Sequence, residues 1–144
     1  VQKWKNENWL DTKSNEHDVV TLPSGLMYKV LTSMYFGKTP TAKSSCVCHY
    51  AGSFIDETIF DSSYKRNTPV TFVTNQVIAG WSEALMLMKE GEKWELYIPS
   101  NLAYGENGQG DVIPGNTPLQ FIIELLEVIG EYKDESTEET GETE

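Results

Sequence analysis

Residues 79–98, AGWSEALMLMKEGEKWELYI, decide how this chain folds, because the repeat of their apolar side chains changes at a glycine. Before it, Trp81, Leu85 and Met88 recur at i, i+4 and i+7, one stripe of an α-helix; the pattern predicts a helix over 79–90 stopped by Gly91. After it, Trp94, Leu96 and Ile98 alternate with Lys93, Glu95 and Tyr97, as in a strand covered on one face.

The period of two recurs on both sides of this stretch. Leu26, Tyr28 and Val30 oppose Met27, Lys29 and Leu31, further strands are predicted over 45–54, 71–73 and 119–129, and the last places Leu119, Phe121, Ile123 and Leu125 on one face. Short strands and one helix, without strand–helix alternation, predict an α+β fold: a five- to six-stranded antiparallel sheet curled as a half-barrel around one short central helix. Residues 1–22 read as a polar extension, a helix or an arm, whose Trp4 and Trp9 rest on the domain or on a second subunit. Leu22-Pro23-Ser24-Gly25 breaks any helix, so the domain is expected over 23–130. Residues 131–144 lack anything to bury and read as an acidic disordered tail.

A chain of 144 residues with 39% hydrophobic and 11% aromatic composition suits one domain with a core. No stretch approaches the roughly 20 apolar residues of a membrane helix, so no membrane partner is expected. The net charge of −11 is uneven: seven carboxylates against Lys133 give the last 14 residues −6, leaving −5 for the other 130. That balance argues against a phosphate-backbone partner, and no nucleic-acid binding is expected. Cys46 and Cys48, two apart in a strand, read as buried free thiols, with a metal or redox pair as the minority reading. The chain starts at Val1, which suggests a removed upstream segment; a signal peptide there narrowly favours a secreted or ER-lumenal location over the cytoplasm.

The familiar catalytic sets are missing. His17 and His49 are the only histidines, neither sits in a His-Glu-x-x-His arrangement, and no Gly-x-Ser-x-Gly elbow occurs. Gly105, Gly108 and Gly110 precede neither a lysine nor a helix, which argues against a phosphate cradle. An enzyme of this sequence works without nucleophile, metal or cofactor. What the chain does have is Tyr50, Phe60, Val77, Ile78, Trp81, Tyr104, Ile113 and Phe121, able to line one apolar pocket with Asp61 at its rim. Singly each aromatic reads as core; as a set they exceed what one helical stripe needs.

The stretches that carry them, His49-Tyr50-Ala51-Gly52, Phe60-Asp61-Ser62-Ser63, Val77-Ile78-Ala79-Gly80-Trp81, Ala103-Tyr104-Gly105 and Val112-Ile113-Pro114, together resemble the FKBP-type peptidyl-prolyl isomerases, the immunophilins that bind tacrolimus and rapamycin. The resemblance covers roughly residues 23–129 and implies rotation about X-Pro bonds in peptides and folding proteins, with no cofactor and no metal. It makes Trp81 the pocket floor and Tyr50, Phe60, Phe72, Val77, Ile78 and Phe121 its lining, with Ala103 beside Tyr104 and with Val112 and Ile113 on a flap from the loop 101–118. It makes Asp61 the polar rim group paired with Arg66, the Ile78 N–H a donor to a ligand carbonyl, and Tyr104 a hydroxyl donor to the bound amide; catalysis is expected from Asp61, Tyr104, Trp81 and Phe121.

The sequence departs from the family pattern at Val70, where an aromatic is frequent, Gln76 for an acidic residue, Gln109 for a histidine, and Gly115 for a second proline, which implies a loosened flap. The short connection around Gln76, Leu22-Pro23-Ser24-Gly25-Leu26 and the N-terminal extension resemble the macrophage-infectivity-potentiator subgroup. Two other readings share the residues: a non-catalytic module for proline-containing partners, and a chaperone acting independently of the pocket. A monomer is expected over a dimer.

Overall fold

The computed structural model describes residues 1–134 of the 144. Two helices, α1 (Gln2–Ser14) and α2 (Ala79–Leu85), accompany nine strands: β1 (Val20–Thr21), β2 (Met27–Thr32), β3 (Lys38–Pro40), β4 (Ser45–Ser53), β5 (Ile59–Ser62), β6 (Val70–Val73), β7 (Lys93–Ile98), β8 (Leu119–Ile129) and β9 (Tyr132–Asp134). Seven form one antiparallel sheet in the order β1-β2-β7-β8-β4-β5, with β6 also pairing with β4. Its concave face holds Cys46, Cys48, Tyr50, Leu96, Phe121 and Ile123 against Trp81, Ala84 and Leu85 of α2. This is the predicted half-barrel, widened by short strands. β1 is too brief to show an alternation.

Three boundaries differ from the sequence reading. α2 ends at Leu85, where the bonding tightens into a turn: Leu87 N–H donates to the Ala84 carbonyl (2.9 Å) and Met88 N–H is shared between the Ala84 and Leu85 carbonyls (3.1 and 3.2 Å), after which Lys89 N–H donates to the Glu92 carboxylate (3.1 Å) and Glu90 N–H to the Lys38 carbonyl (2.9 Å). Met88 stays fully buried on the turn that follows. The sheet begins before residue 23, since Val20 and Thr21 pair with Tyr28 and Met27. The tail begins later than residue 131, since Tyr132–Asp134 pairs with Lys38–Pro40 and the Ser44 hydroxyl donates to the Glu131 carbonyl. The remainder of the expected disordered tail lies outside the described residues.

α1 covers the convex face. Trp9 meets the Tyr97 ring edge-on at 5.8 Å, and Lys13 Nζ lies 4.9 Å from the same ring. Tyr97 is therefore buried, as is its cross-strand partner Met27, although their alternation predicted an open face. Trp9 rests on its own domain, whereas Trp4 is 66% exposed. Cys46 and Cys48 are free and buried.

Candidate active site

Strand register assembles the site. Gly52 stands opposite Phe121 and Tyr50 opposite Ile123, so Tyr50 and Phe121 project from neighbouring strands onto the face that α2 covers. Phe72 reaches the same place from β6. Around the Trp81 indole, the rings of Phe72, Phe121 and Tyr50 lie at 4.9, 5.3 and 5.4 Å with interplanar angles of 71°, 90° and 75°. Phe60 crosses Phe121 at 5.7 Å and 89°. The three rings stand edge-on to the Trp81 indole, in the edge-to-face arrangement that aromatic quadrupoles favour.

The Trp81 indole carries an unusual polar atom. Trp81 Nε1–H is buried and has no hydrogen-bond partner among the described residues.

At the rim, Tyr50 and Arg66 converge on Asp61. The Tyr50 hydroxyl donates to Asp61 Oδ2, Arg66 Nη1 donates to Oδ1 at 2.6 Å, and Arg66 Nη2 donates to the Tyr50 oxygen at 3.0 Å. Burial pushes the Asp61 carboxyl up, but the hydrogen bonds from Tyr50 and Arg66 and the guanidinium charge outweigh it and hold the group below its usual range. Burial, then hydrogen bonding to Asp61, pushes the Tyr50 phenol up. Tyr104 is also pushed up, by burial and by the Asp61 charge, and its hydroxyl makes no hydrogen bond among the described residues. At neutral pH the cluster thus offers a fixed carboxylate and a Tyr104 hydroxyl free to donate.

Val77 and Ile78 lie half-buried between a 3₁₀ turn (Thr74–Gln76) and α2, packed on the core. The Ile78 carbonyl accepts from Ser82 N–H (3.0 Å), while the Ile78 N–H donates to no group among the described residues. Ala103 and Tyr104 follow a second 3₁₀ turn, Ser100–Leu102, and pack on the same cluster.

The flap is tight, and its two apolar residues face different ways. Gln109 and Ile113 exchange backbone hydrogen bonds of 2.8 and 3.1 Å, which turns Ile113 inward to 3% exposure and Val112 outward to 57%. Val112 is not among the residues packed on the ring cluster and lines a groove beside α1. Nor does Gly115 loosen the loop: a Cβ there would lie 1.9 Å from the Glu106 carbonyl oxygen, so glycine permits a tight crossing that Asn116 N–H→Gly105 O (2.8 Å) secures.

Two residues received no role from the sequence. Gly52 is one: a Cβ would meet Phe121 Cε1 at 2.6 Å and Phe60 Cζ at 2.7 Å, so these rings pack directly on bare backbone. A glycine inside a strand is a usable sign of such an approach. Ser63 is the other. Its buried hydroxyl accepts from Tyr50 N–H (2.7 Å), lies 3.2 Å from the Tyr50 carbonyl and meets His49 Nδ1 at 2.8 Å, fixing the backbone beneath Tyr50. Nothing in the local pattern distinguishes it from a turn serine.

The family model for the FKBP-type peptidyl-prolyl cis-trans isomerase matches residues 37–126. The chain belongs to the FKBP-type peptidyl-prolyl cis-trans isomerases. This FKBP chain is similar to the macrophage infectivity potentiator of Trypanosoma cruzi, 42% identical over 93% of this chain and 68% of the relative. It is similar to the outer membrane protein MIP of Legionella longbeachae, 40% identical over 88% of this chain and 54% of the relative. Among solved structures, FkpA from Escherichia coli superposes with a TM-score of 0.83 at 38% identity, covering 88% of this chain and 59% of FkpA. The chain thus spans between about half and two thirds of the length of these relatives. The matched segment contains every residue of the ring cluster and the Asp61 rim.

Proposed function

We propose that this FKBP domain accelerates cis–trans rotation about X-Pro bonds in peptides and folding proteins by seating the proline ring on Trp81. Rotation costs about 18–20 kcal/mol because amide conjugation must be lost, yet no covalent bond breaks, so neither nucleophile nor metal has to act. The twisted amide has a less polar carbonyl than the planar forms, and a dry, aromatic site favours it. The Ile78 N–H is placed to hold a ligand carbonyl and the Tyr104 hydroxyl to meet the amide. Asp61, held ionised by Tyr50 and Arg66, fixes the rim and orients the wall beside it. Phe60, Phe72, Val77, Phe121 and Ile113 exclude water. Tacrolimus and rapamycin, whose family sites are apolar, are proposed to compete for the same pocket.

The observation that carries this reading is the set of three rings standing edge-on around Trp81 with the Asp61 carboxylate next to them. The proposal extends to an extracytoplasmic location, supported by the similarity to an outer membrane protein MIP, and to a monomer, supported by Trp9 packing on its own domain.

The test is the cis-to-trans rate of a short Leu-Pro peptide with catalytic amounts of the chain, then with added rapamycin. Acceleration abolished by the macrolide supports enzyme and pocket together. Macrolide binding without acceleration favours the non-catalytic module instead, and suppression of aggregation that survives rapamycin favours the pocket-independent chaperone.

A further inference from the structure

α1 does not lie flush along its whole length. Between it, the β4–β5 turn and the loop 101–118 runs an open groove of about 1410 Å³, lined along α1 from Gln2 to Thr12. Asn6 Nδ2 donates to the Asn116 carbonyl (3.1 Å), and Trp9 packs on Tyr97, so the helix is moored at two points and the groove is preformed.

The groove shares both walls with the ring pocket. On one side Val112 faces the groove while its neighbour Ile113 packs into the ring cluster. On the other, Phe54 faces the groove and lies 5.0 Å from Phe60, a wall of the prolyl site. Trp4, largely exposed, lines it from α1, and Ile55 lines it from the β4–β5 turn.

Size and charge define the occupant. The volume exceeds the roughly 300–1,000 Å³ of small-molecule sites. Ten residue steps of α1 at about 1.5 Å give about 15 Å, the span of four to five residues of extended chain at about 3.3 Å each. Lys3 and Lys5 balance Glu7 and Asp56, so this surface is neutral on a chain of net charge −11. Asn8 adds an uncharged amide suited to a peptide backbone.

We infer that the groove holds the stretch of unfolded polypeptide that flanks the isomerising proline, gripping its apolar side chains between Trp4 and Ile55. The inference rests on the prolyl-isomerase reading of the adjoining pocket. It makes α1 part of the recognition surface: the pocket takes the proline and the groove takes the neighbouring four to five residues.

The test compares two fluorescently labelled peptides of about twelve residues, long enough to fill pocket and groove. One has Leu and Phe on both sides of a central proline, the other only Gly and Ser. Anisotropy titration with the full chain should show at least about five-fold tighter binding of the apolar-flanked peptide, as for a groove with a few energetic contacts. Trp4→Ala on α1 and Ile55→Ser on the β4–β5 turn should each remove most of that gain and leave the Gly/Ser peptide unchanged. Equal or undetectable affinity for both peptides, or a gain that survives both variants, overturns the inference. The short Leu-Pro rate assay is run in parallel on the same protein. Failure there defeats the enzyme reading, while the anisotropy still judges the groove.

Discussion

Tyr50 donates its hydroxyl hydrogen to the Asp61 carboxylate, and this one bond joins the apolar floor of the site to its charged rim. The same phenol ring stands edge-on to Trp81 and receives Arg66 Nη2 on its oxygen. Anything that releases Asp61 therefore also frees a wall of the pocket.

Replacement of Asp61 tests that coupling directly. A hydrogen bond to a charged group contributes about 1.5–3 kcal/mol, and with a side chain 42% exposed the lower end applies, so Asp61→Leu is expected to lower kcat/KM about ten-fold. Tyr104→Phe, which removes one neutral donor, should cost roughly five-fold. Both variants should keep the wild-type circular dichroism spectrum. Full activity in each would remove the assigned roles.

The acid and alkaline limits follow from the same group. Because the Asp61 pKa is depressed on folding, its contribution to stability is present above the unfolded value of about 3.9 and is lost as pH falls through the folded value. Urea midpoints should therefore fall on acidification, and fall less in Asp61→Asn. Tyr50 and Tyr104 are shifted upward, so activity should hold through neutral pH to about 10, the ordinary phenol value. A tyrosine-dependent loss near pH 8 would contradict the arrangement.

Gly52→Ala forces a methyl group into the space that Phe60 and Phe121 fill. Overpacking of this kind costs about 1–3 kcal/mol, to be read as a lowered urea midpoint. Rapamycin affinity should drop with it, since the rings can yield only by leaving their places. An unchanged midpoint would mean that the wall is softer than its geometry indicates.

The thiols offer a check on the core behind the site. Burial raises the pKa of both cysteines, and the neighbouring Cys46 raises Cys48 further, so neither supplies thiolate at neutral pH. Mass spectrometry after maleimide treatment should find neither labelled in the native protein and both labelled in urea. Rapid native labelling would show that β4 opens readily.

The concave face was legible because its residues obey simple periods: Trp94, Leu96 and Ile98, or Leu119, Phe121, Ile123 and Leu125, can only be one face of a strand. The convex face was not, because Tyr97 occupies an outward position and is covered by a helix whose own polar sequence gives little sign of docking. The end of α2 was hidden for a similar reason. Its stripe continues to Met88, but Leu87 and Met88 already bond back in a tighter turn, and the Glu92 carboxylate and Lys38 carbonyl take the two amides that follow. In the site, the aromatic residues announced themselves by type and motif. Ser63 did not, since its part is to pin a neighbouring strand through hydrogen bonds that no spacing reveals. The different exposure of Val112 and Ile113 was not legible, because adjacent residues on a turn face opposite ways, which a motif of three residues does not encode.

The interlocking of the rings bears on drug selectivity. Tyr50, Phe72 and Phe121 each rest on Trp81, Phe60 rests on Phe121, and Gly52 leaves no slack beneath two of them. Such a floor resists piecemeal change, so a compound aimed at it meets nearly the same surface in any protein that keeps these rings. Val70, Gln109 and the groove beside α1 lie outside that ring set. An inhibitor meant to spare other FKBP-type isomerases should anchor on Trp81 but derive its discrimination from an arm reaching past Phe54 toward Trp4.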